Sequence, residues 1–187
     1  MPFGLGMPRT GTSLTMGLLN EMGVHVGPCR KGKNNPNYYE GTRLFDYISK
    51  GEGSVLEVVE LLDVAPKWGM KQPNIATRWD EFSPILNNER FSIHFVVTHR
   101  RNKDAQYKSH LKAIRRQPRD DFDERGKKYY DTVDDITENE HRIDVFFEDW
   151  FNQTKSKQMK DLADFAGLQV TQSALDLINP NLSKVHS

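Results

Sequence analysis

Residues 6–13 read Gly-Met-Pro-Arg-Thr-Gly-Thr-Ser. They stand between residues 2–7, which are predicted to form a short strand running into a turn, and a helix predicted to begin at Thr12. Glycines let the backbone turn sharply and approach a ligand closely. The free N–H groups and the dipole of the helix start favour an anion at this point. We therefore predict a phosphate-binding loop, whose charged and hydroxyl-bearing members are Arg9, Thr10, Thr12 and Ser13.

Outside this loop, predicted strands alternate with predicted helices. Residues 91–98 are β-branched and aromatic, as in a buried strand of a parallel sheet, and residues 143–147 form a second such segment. Apolar spacing, caps and breakers predict helices over residues 12–22, 42–49, 54–62, 102–116, 154–167 and 171–178. The pattern predicts an α/β fold in which a parallel sheet carries helices on both faces, in one domain over residues 1–187. Residues 32–39 are predicted to be a loop, and the polar stretch 117–142 a mobile excursion.

Composition restricts the function only in part. The 187 residues carry 26 Lys and Arg against 26 Asp and Glu, so net charge gives no argument for a nucleic-acid or membrane partner. Cys29 is the single cysteine and cannot form an internal disulfide, which agrees with a reducing compartment. We find no membrane-spanning apolar run and no signal-peptide pattern, so we expect a cytoplasmic protein. Oligomeric state stays open.

The loop differs in one position from a nucleoside-triphosphate loop, G-x-x-x-x-G-K-[ST]. Thr12 stands where that motif has the lysine that reaches the terminal phosphates. The strongest predicted strand ends in Thr-His-Arg-Arg at residues 98–101 rather than in a magnesium-binding Asp. Three alternatives remain at this point: a plain strand–turn–helix, a nucleotide kinase or nucleoside triphosphatase, and a non-catalytic nucleotide-binding module.

Residues 8–13 resemble the 5′-phosphosulfate loop of sulfotransferases that use 3′-phosphoadenosine 5′-phosphosulfate (PAPS). The resemblance implies a P-loop-like sulfotransferase fold, PAPS as co-substrate, adenosine 3′,5′-bisphosphate (PAP) as product and no metal. It also implies that Arg9 contacts the oxygen bridging sulfate and phosphate, and that residues 11–13 bind the 5′-phosphate. The implied nucleotide contacts are Pro8, Arg9, Thr10, Gly11, Thr12 and Ser13.

A second motif of this family places an Arg at the end of a strand and a Ser eight or nine residues later. Here Ser109 follows Arg101 by eight positions and Arg100 by nine. The resemblance implies that Ser109 and one of the two arginines bind the 3′-phosphate, and it does not decide which arginine. Asn102 and Lys103 stand where the family has a Pro. The lysines and arginines further along this helix are read as a solvated face.

Sulfuryl transfer requires a base for the acceptor proton and positive charge at the leaving phosphate. Residues 35–40, Asn-Pro-Asn-Tyr-Tyr-Glu, are similar to a family segment that implies Glu40 as the base. His99 and His110 are alternative bases. Residues 68–73, Trp-Gly-Met-Lys-Gln-Pro, resemble a segment that implies a catalytic Lys71, although a surface lysine is an equal reading. The Phe-Glu-Asp-Trp segment at residues 147–150 is interpreted as structural.

The sequence leaves the acceptor unidentified. A hydroxyl or amine of a small molecule, glycan, lipid or peptide meets the requirement equally well. The sequence hypothesis is therefore a PAPS-dependent sulfotransferase with an acceptor of open class.

Overall fold

The computed structural model describes residues 1–29, 39, 42–87, 91–114 and 121–178. The predicted loop at residues 32–39 and the candidate base Glu40 lie outside these ranges, except for Tyr39. In chain order the elements are β1 (Pro2–Leu5), α1 (Thr12–Glu21), α2 (Thr42–Lys50), α3 (Val55–Leu62), β2 (Met70–Lys71), a 3₁₀ helix (Pro73–Arg78), α4 (Trp79–Leu86), β3 (His94–His99), α5 (Lys103–Ile114), α6 (Phe122–Thr137), β4 (Arg142–Phe146), a second 3₁₀ helix (Phe147–Phe151), α7 (Lys155–Phe165) and α8 (Gln172–Leu177).

The four strands form one parallel sheet in the order β2-β1-β3-β4. The strand predicted over residues 91–98 begins three residues later, at His94, and the strand predicted over 143–147 is β4. The two-residue β2 was not predicted, because a strand this short has no periodicity to detect. Parallel pairing and alternation with helices confirm the predicted α/β class.

Side chains alternate along the strands and divide the core into two layers. Phe3, Leu5 and Val97 belong to the layer on one face, which α3, α4 and α6 cover. Val96 and Val145 belong to the layer on the other face, which α1, α7 and α8 cover. Successive strand residues point to opposite faces of a sheet, so these two layers lie on opposite sides of it. Helices therefore cover both faces of the sheet, as predicted.

The segment predicted to be a mobile excursion contains a helix instead. Helix α6 runs from Phe122 to Thr137, and Tyr129, Val133 and Thr137 are buried at four-residue spacing. The prediction over residues 117–142 was wrong for this helix because its exposed faces are rich in charge, and that charge hid a narrow buried stripe. Residues 115–120 lie outside the described ranges.

The strand order creates a crevice between β1 and β3. The chain leaves β1 into α1 on one face, and it leaves β3 towards α5 and α6, of which α6 packs on the other face. In open parallel sheets, ligands bind outside the carboxyl ends of the strands at such a switch point. Residues 6–11 follow β1 and residues 100–102 follow β3, so both predicted anion motifs lie at this crevice.

Candidate anion site

The loop after β1 turns through three residues with positive φ. Gly6 has φ 154°, Arg9 has φ 72° and Gly11 has φ 95°. A Cβ on Gly6 would lie 2.1 Å from the hydroxyl oxygen of Thr98, and a Cβ on Gly11 would lie 2.6 Å from the ring of Phe147. Both glycines are therefore required by conformation and by space.

Helix α1 begins directly at the end of this loop. Gly11 is its N-cap, and among the described residues no side chain caps it and no acidic residue occupies its first turn. The first four N–H groups of a helix have no partner within the helix, and they carry the positive end of the dipole. This helix start therefore presents donors and positive potential to the crevice.

Lys71 brings an ammonium group to the same helix start. It lies in β2 beside Gly4, is only 2% exposed, and donates from Nζ to the hydroxyl of Ser13 at 3.1 Å. The alternative reading of Lys71 as a surface lysine is wrong, because β2 is covered by its neighbours. The ammonium adds positive charge where the loop lacks the lysine of a triphosphate motif.

The second predicted motif contacts the loop directly. Arg9 donates from Nε to the hydroxyl of Ser109 at 2.9 Å, and Arg100 donates from Nη1 to the Arg9 carbonyl at 3.4 Å. Gln106, one turn before Ser109 in α5, donates to the Pro8 carbonyl at 3.2 Å. Arg100 and the Gln106 and Ser109 side chains of α5 therefore form one buried polar network with residues 8–9 of the loop.

The two candidate arginines occupy different environments. Arg100 is 4% exposed, lies 4.7 Å from the centre of the Phe147 ring and has Glu148 at 3.9 Å. Burial lowers the pKa of Arg100, and nearby Glu148 opposes that shift. Arg101 is half-exposed, and its guanidinium donates to both carboxylate oxygens of Asp149, at 2.6 and 2.9 Å. Arg100 thus contacts the loop, whereas Arg101 makes a surface ion pair.

The hydroxyl of Thr10 is used inside the protein. Thr10 is fully buried, donates to the Met7 carbonyl at 2.7 Å and lies 2.8 Å from the hydroxyl of Thr98. Thr12 is also buried, and Ser13 accepts from Lys71. The sequence predicted the hydroxyls of Thr10, Thr12 and Ser13 as phosphate donors. The Thr10 hydroxyl instead donates within the loop and fixes its conformation.

The two alternative bases lie beside aromatic rings. His99 contacts Asp144 at 2.5 Å, and its ring stacks on Tyr130 with 4.8 Å between centres. His110 lies 5.3 Å from the ring centre of Phe122. His99 thus has the packing environment of a strand-end residue.

Several residues that shape the site were not selected from the sequence. The hydroxyl of Tyr129 accepts from the Gly6 N–H at 2.9 Å, and Tyr130 donates to the Thr98 carbonyl at 2.8 Å. Gln106 carries no sequence signal beyond its place three residues before Ser109. Glu148 accepts from the backbone N–H groups of residues 101 and 102, both at 3.1 Å, which confirms the structural role predicted for residues 147–150.

The chain matches no known family model, no curated protein and no solved structure. Within the described ranges, none of the helices combines the length and the apolar character needed to cross a membrane. The same ranges hold no group of three or more His, Cys, Asp or Glu side chains placed to bind a metal ion.

Proposed function

We propose that this chain transfers a sulfuryl group from PAPS to a hydroxyl or amine acceptor. One observation carries the proposal: the loop after β1 and the Arg100–Ser109 segment meet through the contact of 2.9 Å between Arg9 and Ser109. The 5′-phosphate and the 3′-phosphate of this nucleotide are attached to the same ribose. The two protein segments that bind them must therefore lie next to each other, as these two segments do. The P-loop-like sulfotransferase fold and the cytoplasmic location remain part of the same proposal.

The 5′ end of the nucleotide would bind at the start of α1. The N–H groups of residues 11–13 would donate to an anion there, and the first turn of α1 holds no acidic residue that would repel it. Arg9 and Lys71 supply the positive charge that the leaving phosphate requires as it gains negative charge. Lys71 donates to the hydroxyl of Ser13, so only the Ser13 side chain separates its ammonium group from the proposed phosphate.

The 3′-phosphate would bind between Arg100 and Ser109. The guanidinium of Arg100 is buried beside the loop, so its charge is less screened by water than that of Arg101. Asp149 already accepts from both terminal nitrogens of Arg101. We therefore assign Arg100 to the nucleotide and Arg101 to the turn after β3.

The chemistry itself is a direct displacement. The acceptor oxygen or nitrogen forms a bond to sulfur while the bond from sulfur to the bridging oxygen breaks, and PAP leaves. The acceptor proton passes to a base, for which we retain Glu40. The proposal requires only a hydroxyl or an amine on the acceptor, which small molecules, glycans, lipids and peptides can all provide.

A nucleotide kinase or nucleoside triphosphatase is the second candidate. Lys71 favours it, because an ammonium group beside Ser13 can replace the lysine that the loop lacks. A non-catalytic nucleotide-binding module is the third candidate. The three differ in ligand preference and in turnover.

Calorimetric titration separates these candidates. We expect the chain to bind PAP without magnesium at least about thirtyfold more tightly than magnesium–ATP, since about 2 kcal/mol from the 3′-phosphate contacts gives that ratio. Preference for magnesium–ATP would support the kinase. Tight PAP binding with no transfer from PAPS to a broad panel of hydroxyl and amine acceptors would support the binding module.

Arg9→Ala tests the catalytic assignment. We expect sulfuryl transfer to fall at least about a hundredfold, because a charge directed at the leaving phosphate acts mainly in the transition state. Lys108→Ala is the control, since Lys108 is an exposed lysine of α5 and should leave the rate unchanged. Unchanged turnover in Arg9→Ala removes Arg9 from the mechanism.

A further inference from the structure

Helix α6 contributes the buried Tyr129 and the partly buried Tyr130 beneath the loop. The Tyr129 hydroxyl accepts a hydrogen bond of 2.9 Å from the Gly6 N–H, 123 positions earlier in the chain. Tyr130 donates to the Thr98 carbonyl at 2.8 Å, at the end of β3. Both hydroxyls meet backbone groups at the carboxyl edge of the sheet, where β1 and β3 end.

The peptide unit between Leu5 and Gly6 is held at both ends by side chains. Its carbonyl, on Leu5, accepts from the Thr98 hydroxyl at 3.2 Å, and its N–H, on Gly6, donates to Tyr129. Strand β1 ends at Leu5, so this is the unit at which the chain leaves the sheet. The orientation of this unit sets the direction in which residues 6–11 begin.

Space at this point is fully used. A Cβ on Gly6 would lie 2.1 Å from the Thr98 hydroxyl oxygen and 2.8 Å from that of Thr10. Thr10 in turn donates to the Met7 carbonyl at 2.7 Å. Three successive residues are therefore each held by one hydroxyl: Leu5 by Thr98, Gly6 by Tyr129 and Met7 by Thr10.

We propose that Tyr129 is a positioning residue, which orients the phosphate loop through the Gly6 N–H. The proposal rests on the proposed function, because the loop it orients is the one assigned to the nucleotide. A residue that only filled the core beneath the loop would need no hydroxyl, and Phe would serve. The hydroxyl is required because the Gly6 N–H is buried beyond the end of β1, where a donor without an acceptor is costly.

The ionisation of the two tyrosines is consistent with this role. Burial raises the pKa of Tyr129 above its ordinary value, and burial likewise raises the pKa of Tyr130 to about 12. Both hydroxyls therefore stay neutral at physiological pH. The loop keeps its hydrogen bonds, and no negative charge arises beside the proposed phosphate site.

The test compares Tyr129→Phe with Val133→Ala. Val133 lies one turn further along α6, is fully buried and packs in the core without a polar group. Val133→Ala therefore destabilises the same helix and leaves the Gly6 hydrogen bond in place. For each variant, hydrogen exchange of the amides in residues 6–13 is measured on the unliganded chain, and PAP affinity is measured by calorimetry.

We expect Tyr129→Phe to speed exchange in residues 6–13 by about tenfold and to weaken PAP binding by about tenfold. Val133→Ala should lower the unfolding temperature and change both values by less than twofold. Equal effects in the two variants, or unchanged loop exchange in Tyr129→Phe, would overturn the proposal. If the wild-type chain fails to bind PAP, the proposed function fails, and loop exchange still decides the role of Tyr129.

Thr98→Val provides a second variant that acts on the same peptide unit. It removes the hydroxyl that donates to Leu5, at the other end of the same peptide unit. Two changes that act on one peptide unit are not additive. We expect the double variant to weaken PAP binding by less than twofold beyond the stronger single variant, and fully multiplied effects would contradict a shared target.

Discussion

Arg9 adopts a backbone conformation that its side chain does not favour. Its φ of 72° places a non-glycine residue in the left-handed region, which costs of the order of 1 kcal/mol. The contacts around it compensate, since Arg100 donates to its carbonyl and its own Nε donates to Ser109. Strain of this kind persists only where surrounding contacts hold it, and it is found most often at active and ligand-binding sites. Glycine would fit the backbone better, but it would remove the guanidinium that the proposed chemistry uses.

The buried Lys71 is predicted to contribute to PAP binding. The ammonium group is buried and donates to Ser13 at the start of α1, beside the proposed 5′-phosphate site. We expect Lys71→Met to weaken PAP binding about tenfold, because it removes a positive charge from that site. Calorimetry measures the affinity, and thermal unfolding measures the stability of the unliganded variant. A less stable variant with unchanged PAP affinity would show that Lys71 has only a structural role.

Gly11 gives a second prediction. Its φ is 95°, and a Cβ added to it would lie 2.6 Å from the Phe147 ring, so there is no room for a methyl group. We expect Gly11→Ala to lower the free energy of unfolding by about 1–3 kcal/mol in urea denaturation. Gly23→Ala is the matched control, because Gly23 also has positive φ, at 106°, but a Cβ there meets nothing within 4 Å. An equal loss in both variants would mean that the ring contact has no effect.

At the scale of elements, the sequence predicted those whose signals are local. The capping box of α3 is present, with Ser54 accepting from the Glu57 N–H at 3.2 Å and Glu57 accepting from the Ser54 N–H. Thr171 likewise caps α8 through its side chain. Thr154, the first residue of the helix predicted over residues 154–167, stands at the N-cap of α7, but its side chain accepts no N–H of the helix and its hydroxyl donates to Asn152. This helix start was therefore predicted correctly without the side-chain hydrogen bond that usually marks one.

Elements that depend on tertiary contacts were not predictable in this way. Strand β2 has two residues and exists only through pairing with β1, so Lys71 gave no sign of its burial. Helix α4 begins at Trp79 and contains Pro84, which disfavours a helix in a sequence pattern. In α6, the Tyr129 hydroxyl bonds to the Gly6 N–H, which is 123 positions away in the chain, so no local pattern predicts this contact. The motifs of the site were visible in the sequence, and the residues that orient them were not.

At the scale of the whole molecule, charge pairs at the β3–β4 edge tie stability to pH. Burial alone would raise the pKa of Asp144, but hydrogen bonds from His99 and Arg142 outweigh it and lower the pKa from 3.8 to about 2. A carboxyl whose pKa is lower in the folded chain binds fewer protons there than in the unfolded chain. Its stabilisation is therefore complete above pH 4 and is lost as the pH falls towards 2.

Asp144→Asn tests this dependence. Asp144 is 40% exposed, so we expect its acid-dependent stabilisation to be only about 1 kcal/mol after solvent screening. Urea unfolding at pH 5, 4, 3 and 2 should show a shallower loss of stability in the variant than in the wild type. Asp80→Asn, in the first turn of α4, serves as a control away from this edge. Parallel curves for Asp144→Asn and the wild type would contradict the assignment.

The whole-molecule claim is that one crevice between β1 and β3 holds both phosphates of a single nucleotide. The most direct measurement is the ratio of affinities for PAP and adenosine 5′-monophosphate, taken by calorimetry in the wild type, in Ser109→Ala and in Arg101→Ala. We predict a ratio of about thirty or more in the wild type, a ratio about tenfold smaller in Ser109→Ala, and an unchanged ratio in Arg101→Ala. A wild-type ratio near one, or a ratio lost in Arg101→Ala and kept in Ser109→Ala, would contradict the account.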